Sequence, residues 1–524
     1  MTARQLPERP NLEQLKRLAK DLLHSARARD RAALTRFRIL PSFERRSDDE
    51  LERAPVALHD AQSVVAREYG FDSWNGLRER VEELNFEFGA AVEQFVEAAT
   101  DRRRDRAERL LALHPGIAGA SFHTALLVGD AAAVEARLTG DPTLAVAAGG
   151  PRGWEPLHYI CHSVVGRASA EREAGSVAIA RRLIALGADP NTRFPWMHHG
   201  VRRPVLWGAV CVVHSLPLAR ALLESGADPD DGVTLPLAAG MSDIAALELL
   251  RDHGANINHP WATDGGTPLY EILHWAGQAG GARWLIEHGA ASDAVFAANG
   301  ETPLHVVAES WRSDLADLLV AHGADVNRRR TDGRTPYAVA ELNGNRTVAD
   351  WLVAHGADET MADVDRFVAA CSRGDRTVAA AMLERQPGLR ADISTEHYRA
   401  LYRAAERNDT AALETMLACG FEIDRPDQSI GKTALHVAAM EGWPEAVRVL
   451  LAHGASVSVR DREFKAQPLI WAAEGARTSR TDRDHSTVGR LLLDAGSPVE
   501  WEPGAEPAEP ILDIVNAWRG VTPE

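Results

Sequence analysis

One phrase returns along this chain at intervals of about one supersecondary unit. Gly323-Ala324-Asp325-Val326-Asn327 is preceded by Leu318-Leu319-Val320-Ala321-His322 and followed by a turn and Thr335-Pro336. Its glycine recurs at Gly187, Gly226, Gly254, Gly289, Gly323, Gly356, Gly420, Gly454 and Gly496, with spacings of 39, 28, 35, 34, 33, 64, 34 and 42. The spacing of 64 is a double period, with a decayed copy at Pro387-Gly388-Leu389 inside it. A period this short cannot bury an apolar core within one unit, so stacking of neighbours must supply it.

Each part of the phrase has a physical task. In Thr302-Pro303-Leu304-His305 the threonine hydroxyl can cap a helix, and Pro303 suits its first turn because the missing N–H has no helical partner there anyway. Leu304, Val307 and Ala308 face inward, and a second helix is predicted from about Asp314 to His322 with Leu315, Leu318 and Leu319 on its buried side. Gly323 stops that helix by entering the left-handed region at little cost. Gly431 to Ser458 repeats the same grammar, and looser copies begin at Glu155-Pro156-Leu157-His158, Arg203-Pro204-Val205, Thr267-Pro268-Leu269-Tyr270, Thr335-Pro336-Tyr337 and Gln467-Pro468-Leu469.

A period near 33 that carries Thr-Pro-Leu-His and Leu-Leu-x-x-Gly-Ala-Asp resembles the ankyrin repeat. The resemblance implies an all-α solenoid of about a dozen stacked helix-turn-helix repeats with β-turn fingers, and a non-enzymatic function of binding a protein partner in the concave groove. Residues 1–86 read as a helical leader that caps the array. In it Asn11 caps a helix to about Ala28 striped by Leu12, Leu15, Leu18, Leu22 and Leu23, a second segment runs from Arg31 to Ile39, and a helix, turn and helix follow from Leu58 to Leu84. Its Arg-Pro-Asn-Leu-Glu opening and Ala-Arg-Glu-Tyr-Gly-Phe-x-Ser-Trp run look like the leader of a group of bacterial ankyrin proteins.

An internal match sets the organisation of the rest. Phe95-Val96-Glu97-Ala98-Ala99 through His114-Pro115-Gly116-Ile117 corresponds at an offset of 272 to Phe367-Val368-Ala369-Ala370-Cys371 through Gln386-Pro387-Gly388-Leu389. Two tandem arrays, 91–360 and 361–524, are inferred, the second closed by a C-terminal helix. The segment Asp358–Asp363 is a candidate hinge, although stacking can equally continue across it.

Composition narrows the class further. A net charge of −17 disfavours a nucleic-acid partner, and the charge is uneven: residues 1–53 carry +4 and the remainder −21. The longest apolar run, Val205–Val213, is far short of the ~18 residues a membrane helix requires. The first thirty residues lack the apolar stretch of a signal peptide, so a cytoplasmic monomer is expected. Only four of the 58 basic residues are lysine, a bias that suggests a GC-rich bacterial genome. Four scattered cysteines predict no disulfide.

Catalytic and metal motifs were weighed against this reading. Pro426 to Thr433 ends in Gly-Lys-Thr as a phosphate-binding loop does, but proline replaces the first glycine and no strand is predicted before it. Cys161, His162, His198, His199, Cys211 and His214 include a Cys-x-x-His spacing suited to zinc, yet they form no dense quartet. No catalytic, cofactor or metal residue is therefore assigned. The alternative reading is a metal-dependent enzyme or regulator housed in the leader or inserted loops.

Register carried over from the ankyrin family places the partner contacts at Trp154, His162, His274, Trp275, Glu301, Glu309, Ser310, Arg334, Leu342, Asn343, Lys432, Met440 and Glu441. Trp275 can equally pack against the neighbouring repeat. Insertions at 163–176, 191–203 and 476–486 break the period, and the second carries Trp196 and Met197, a further candidate anchor pair.

Overall fold

The computed structural model describes residues 4–54, 56–196, 201–261, 266–274, 279–310, 313–478, 483–499 and 515. It is an all-α solenoid of ankyrin type, with one short antiparallel hairpin, Arg193–Trp196 against Val201–Pro204, among the described residues. Contacts divide the chain into two compact units, Met1–Pro268 and Leu269–Thr522. Among the described residues no helix is long and apolar enough to cross a membrane.

The first unit opens with the leader, which has a core of its own. Asn11 accepts the N–H groups of Glu13 and Gln14 and starts the helix Leu12–Arg27. Leu15 and Leu22 of that helix pack with Phe37, Val64, Val65, Leu77 and Val81. The helices Pro41–Glu44 and Asp48–Arg53 were not expected; Ser47 and Glu50 form a reciprocal capping box that starts the second. The leader is tied to the first repeat through Glu83, which is fully buried on the helix Trp74–Asn85 and receives Arg109 in a two-pronged bond at 2.7 and 2.9 Å.

Among the described residues five helix pairs follow in this unit, from Phe88–Thr100 with Arg104–Leu113 to Thr234–Gly240 with Ile244–Asp252. The inserted stretch 163–176 is partly helical, because Ser169 caps a long helix Ala170–Ala185. The helix beginning at Val205 passes into a π turn over Gly208–Val212. That turn lies so close to the preceding repeat that a Cβ on Gly208 would sit 2.5 Å from the Cys161 carbonyl oxygen.

Among the described residues the second unit stacks seven helix pairs, from Pro268–His274 with Ala279–Glu287 to Pro468–Thr478 with His485–Asp494. The helix predicted from Asp314 spans Ser313–Ala321. The motif histidine does more than pack. His305 Nδ1 accepts the Thr302 N–H at 3.2 Å, which leaves the proton on Nε2 to donate to the Arg334 carbonyl of the next repeat at 3.2 Å. His436 does the same between Thr433 and Ala466. The glycines of the recurring phrase all take positive φ; at Gly323 it is 95°. The histidine before each of Gly254, Gly289, Gly323, Gly356 and Gly454 donates through Nδ1 to the carbonyl four residues back, satisfying one acceptor that the helix end leaves open.

The two segments related by the offset of 272 share a local fold, a pair of helices followed by a 3-10 turn at Pro115–Ile117 and at Pro387–Arg390. Bonds run through 358–363 between repeats: the Asp358 N–H donates to Asn327 Oδ1 at 2.7 Å and Ser372 donates to the Leu342 carbonyl at 2.5 Å.

Candidate functional site

Within the second unit, turn tips and the ends of first helices line an open groove of about 540 Å3. The helix Pro303–Ser310 contributes Glu309, the helix Arg399–Glu406 contributes Arg399, Tyr402, Arg403 and Glu406, and the tip after Arg425 contributes Asp427 to Ser429 and Lys432. Thr395, Glu396, Val437, Met440, Glu441 and Trp471 complete it. Four residues singled out from the sequence, Glu309, Lys432, Met440 and Glu441, therefore converge. The helix Arg399–Glu406 was not assigned contacts because its repeat lacks Thr-Pro-Leu-His. Its signal was Ser394-x-x-His397, the spacing of the motif in other letters: His397 Nδ1 accepts the Ser394 N–H at 2.9 Å as His305 does for Thr302.

Glu309 holds the groove's wall together. Its carboxylate receives Arg399 at 3.0 Å and Arg403 at 2.9 Å. Burial alone would raise its pKa, but the two guanidinium groups outweigh that and hold the carboxyl below its usual range. The same opposition acts on Glu301, where burial yields to His274, Arg330 and the Tyr270 hydroxyl, and on Asp365, held to about 2 by His397 and Arg334 against its burial. Glu301 and Asp365, but not Glu309, belong to one chain of ion pairs in which Glu301 binds Arg330, Arg330 and Arg334 share Asp332, and Arg334 reaches Asp365 at 2.8 Å. Glu301 is 1% exposed and Arg334 is mostly engaged within this chain, so both join repeats.

The tip also settles what Gly431-Lys432-Thr433 does. The Asp427 carboxylate accepts the N–H groups of Ile430, Gly431 and Lys432 at 3.1, 2.6 and 3.1 Å, so the backbone donors that a phosphate would need are already taken.

Residues 273–363 and 401–499 match the family model of ankyrin repeats. The chain carries ankyrin repeats in these stretches. It is 37% identical over 100 residues to the human ankyrin repeat and SOCS box protein 6, a stretch covering 19% of this chain and 22% of that one, and the mouse protein matches at 36% over the same shares. The serine/threonine-protein kinase VIK of Arabidopsis thaliana is 34% identical over 127 residues, 22% of this chain and 28% of the kinase. The ankyrin-repeat chain thus spans between about a fifth and a third of the length of these curated relatives.

The remaining assigned contacts of this ankyrin-repeat chain fall elsewhere. His274 is partly exposed and lies 3.3 Å from Glu301, Ser310 ends the helix that carries Glu309, and Asn343 is 5% exposed with its carbonyl accepting Arg407. Trp275 lies outside the described residues, as do Met197, His198 and His199. Trp196 pairs with Val201 in the hairpin.

In the first unit, Trp154 stands within 5.5 Å of the Tyr159, His162 and Phe194 rings. The inserted segment folds back here, since Phe194 is 2% exposed and meets His162 edge-on at 4.2 Å. His162, expected to be a contact, is fully buried, and its pKa falls to about 3 by that burial, so it sits in the core. Cys161 beside it is buried too, which pushes its thiol up. Among the described residues no group of three or more His, Cys, Asp or Glu is placed to hold a metal.

Proposed function

We propose that this chain is a non-enzymatic scaffold that holds a protein partner in the groove of its second unit. The observation that carries this reading is the convergence of Lys432, Met440 and Glu441 on one open groove beside Tyr402 and Trp471. Aromatic and methionine surface flanked by charges of both signs is the composition of an interface that binds through a few anchors and sets orientation at its rim. Arg399 and Arg403 are fixed by Glu309, so the wall costs little entropy to order when a partner arrives. The leader 1–86 acts as the cap of the first array, and the arrays 91–360 and 361–524 both contribute to this groove, the first through Glu309 and the second through the residues from Arg399 to Trp471.

The test compares affinity capture by the wild type with capture by a double variant, Lys432→Glu and Met440→Ala, after circular dichroism has shown equal helicity and melting. A protein retained by wild type and lost by the variant supports the groove. Equal retention by both removes it.

A further inference from the structure

Three turns of the second unit reverse on a left-handed glycine two positions before the threonine that begins the next first helix. At Gly300, Gly333 and Gly431 φ is 75°, 85° and 79°. One repeat after Gly431 the same position holds Lys465, at φ 53°. A residue with a Cβ enters this region at a cost that glycine does not meet, and such strain persists only where the surroundings over-determine it. Beside it stands Phe464, which at 59% is the most exposed large apolar side chain among the described residues.

The surroundings that fix this tip are specific. The buried Asp461 carboxylate accepts the N–H groups of Glu463, Phe464 and Ala466 at 2.9, 2.6 and 3.1 Å, and Trp471 Nε1–H at 3.0 Å. Lys465 Nζ donates to the Arg462 carbonyl at 2.8 Å, and Arg460 Nη1 to the Lys465 carbonyl at 3.1 Å. A single exposed apolar side chain is ordinary, but one held out by a strained turn with this many bonds is ordered before any partner arrives. The tip is also continuous with the groove. Trp471 lines the groove, and Arg462 donates from its N–H to the Ile430 carbonyl and from Nη2 to the Asp427 carbonyl, both at 2.6 Å. Of the charges on the tip, Arg460, Arg462 and Lys465 are exposed against Glu463 alone, because Asp461 is buried. We propose that the tip Arg460–Lys465 is a docking surface for an acidic protein segment, with Phe464 entering an apolar recess whose rim carboxylates meet Arg460, Arg462 and Lys465. The proposal rests on the groove reading, since it gives the partner held there a second contact.

A photoreactive amino acid is placed at Glu463 of the full chain, alone or together with Phe464→Ala or Lys465→Gly, and in a parallel chain at Met440. After irradiation in native host lysate the crosslinked partner peptides are sequenced by mass spectrometry. Glycine takes the φ of position 465 freely, so Lys465→Gly should melt no lower than the wild type and yet give a weaker adduct from position 463. The expected result is the same protein adduct from positions 463 and 440, joined at 463 through a segment rich in Asp and Glu. The yield from 463 should fall about tenfold in Phe464→Ala, and should fall in the unsubstituted tip when salt is raised. The inference is overturned, with the groove left standing, by an adduct from 440 with none from 463, by a 463 adduct indifferent to Phe464→Ala, or by a crosslinked segment without carboxylates. A crosslink from 463 to a second copy of this chain overturns it in favour of self-association. Absence of any adduct from 440 removes the groove reading and this inference with it.

Discussion

Arg403 reaches Glu309 across 94 positions of sequence, with Nη2 2.9 Å from Oε1, and Arg399 grips the other carboxylate oxygen at 3.0 Å. One buried acid in an early repeat thereby positions two bases of a later one. Glu309 and Arg403 sit on first helices three repeats apart, a longer reach than nearest-neighbour stacking supplies, and it is the long arginine side chains along one surface that span it.

Replacing Glu309 with alanine should leave two guanidinium groups without their shared acceptor. Both arginines keep a third or more of their side-chain surface in water, so the cost is set at about 1–3 kcal/mol rather than that of a sealed pair. Urea unfolding followed by circular dichroism reads the change as a lower midpoint.

Acid should weaken the repeat Pro156–His162. Burial lowers His158 to about 4 and His162 to about 3, both below the unfolded value of about 6.5. The unfolded chain therefore binds protons first as pH falls. Stability is whole above about pH 6.5 and declines toward pH 4, by about 3 kcal/mol for each histidine at the low end. Melting temperature measured across that range should fall with pH, and hydrogen exchange should locate the first opening in this repeat.

Two glycines give a matched contrast. Gly208→Ala would force a methyl to 2.5 Å from the Cys161 carbonyl oxygen and 2.8 Å from the His162 ring, where backbone cannot yield, and should cost about 1–3 kcal/mol. Gly140→Ala meets nothing within 4 Å at the end of a helix and should be neutral or slightly stabilising. Thermal melts of the two variants decide this.

The tip of the groove depends on Asp427. Asp427→Ala removes the acceptor of three backbone N–H groups, so the amides of Ile430 to Lys432 should exchange faster and stability should fall by about 1–2 kcal/mol. Hydrogen exchange by mass spectrometry reads both.

What the sequence made legible was what repeats. The stopping glycines, the Thr-Pro-Leu-His caps and the leader stripe of Leu15 and Leu22 are local signals with a fixed period, and each stands where its chemistry requires. The groove residues Lys432 and Met440 followed from the same register. Contacts that cross repeats without periodic marking were not legible. Glu309 and Arg403 are partners only after stacking. Burial was misjudged at His162 and Glu301 because family register fixes a position along the helix, whereas the packing of Phe194 and of Arg330 decides how deeply that position lies. The insertion at 191–203 was expected to offer Trp196 and Met197 as an anchor pair, and nothing local shows that Phe194 beside them turns into the aromatic cluster.

The most direct measurement of the central claim is site-specific photo-crosslinking in the native host. A photoreactive amino acid is placed at Met440 in the groove and, separately, at Val353, which is 38% exposed on the second helix Arg346–Ala354 and lines no part of the groove. The groove account predicts a protein adduct from position 440 and none from position 353. An adduct from position 353 with none from position 440 would contradict it.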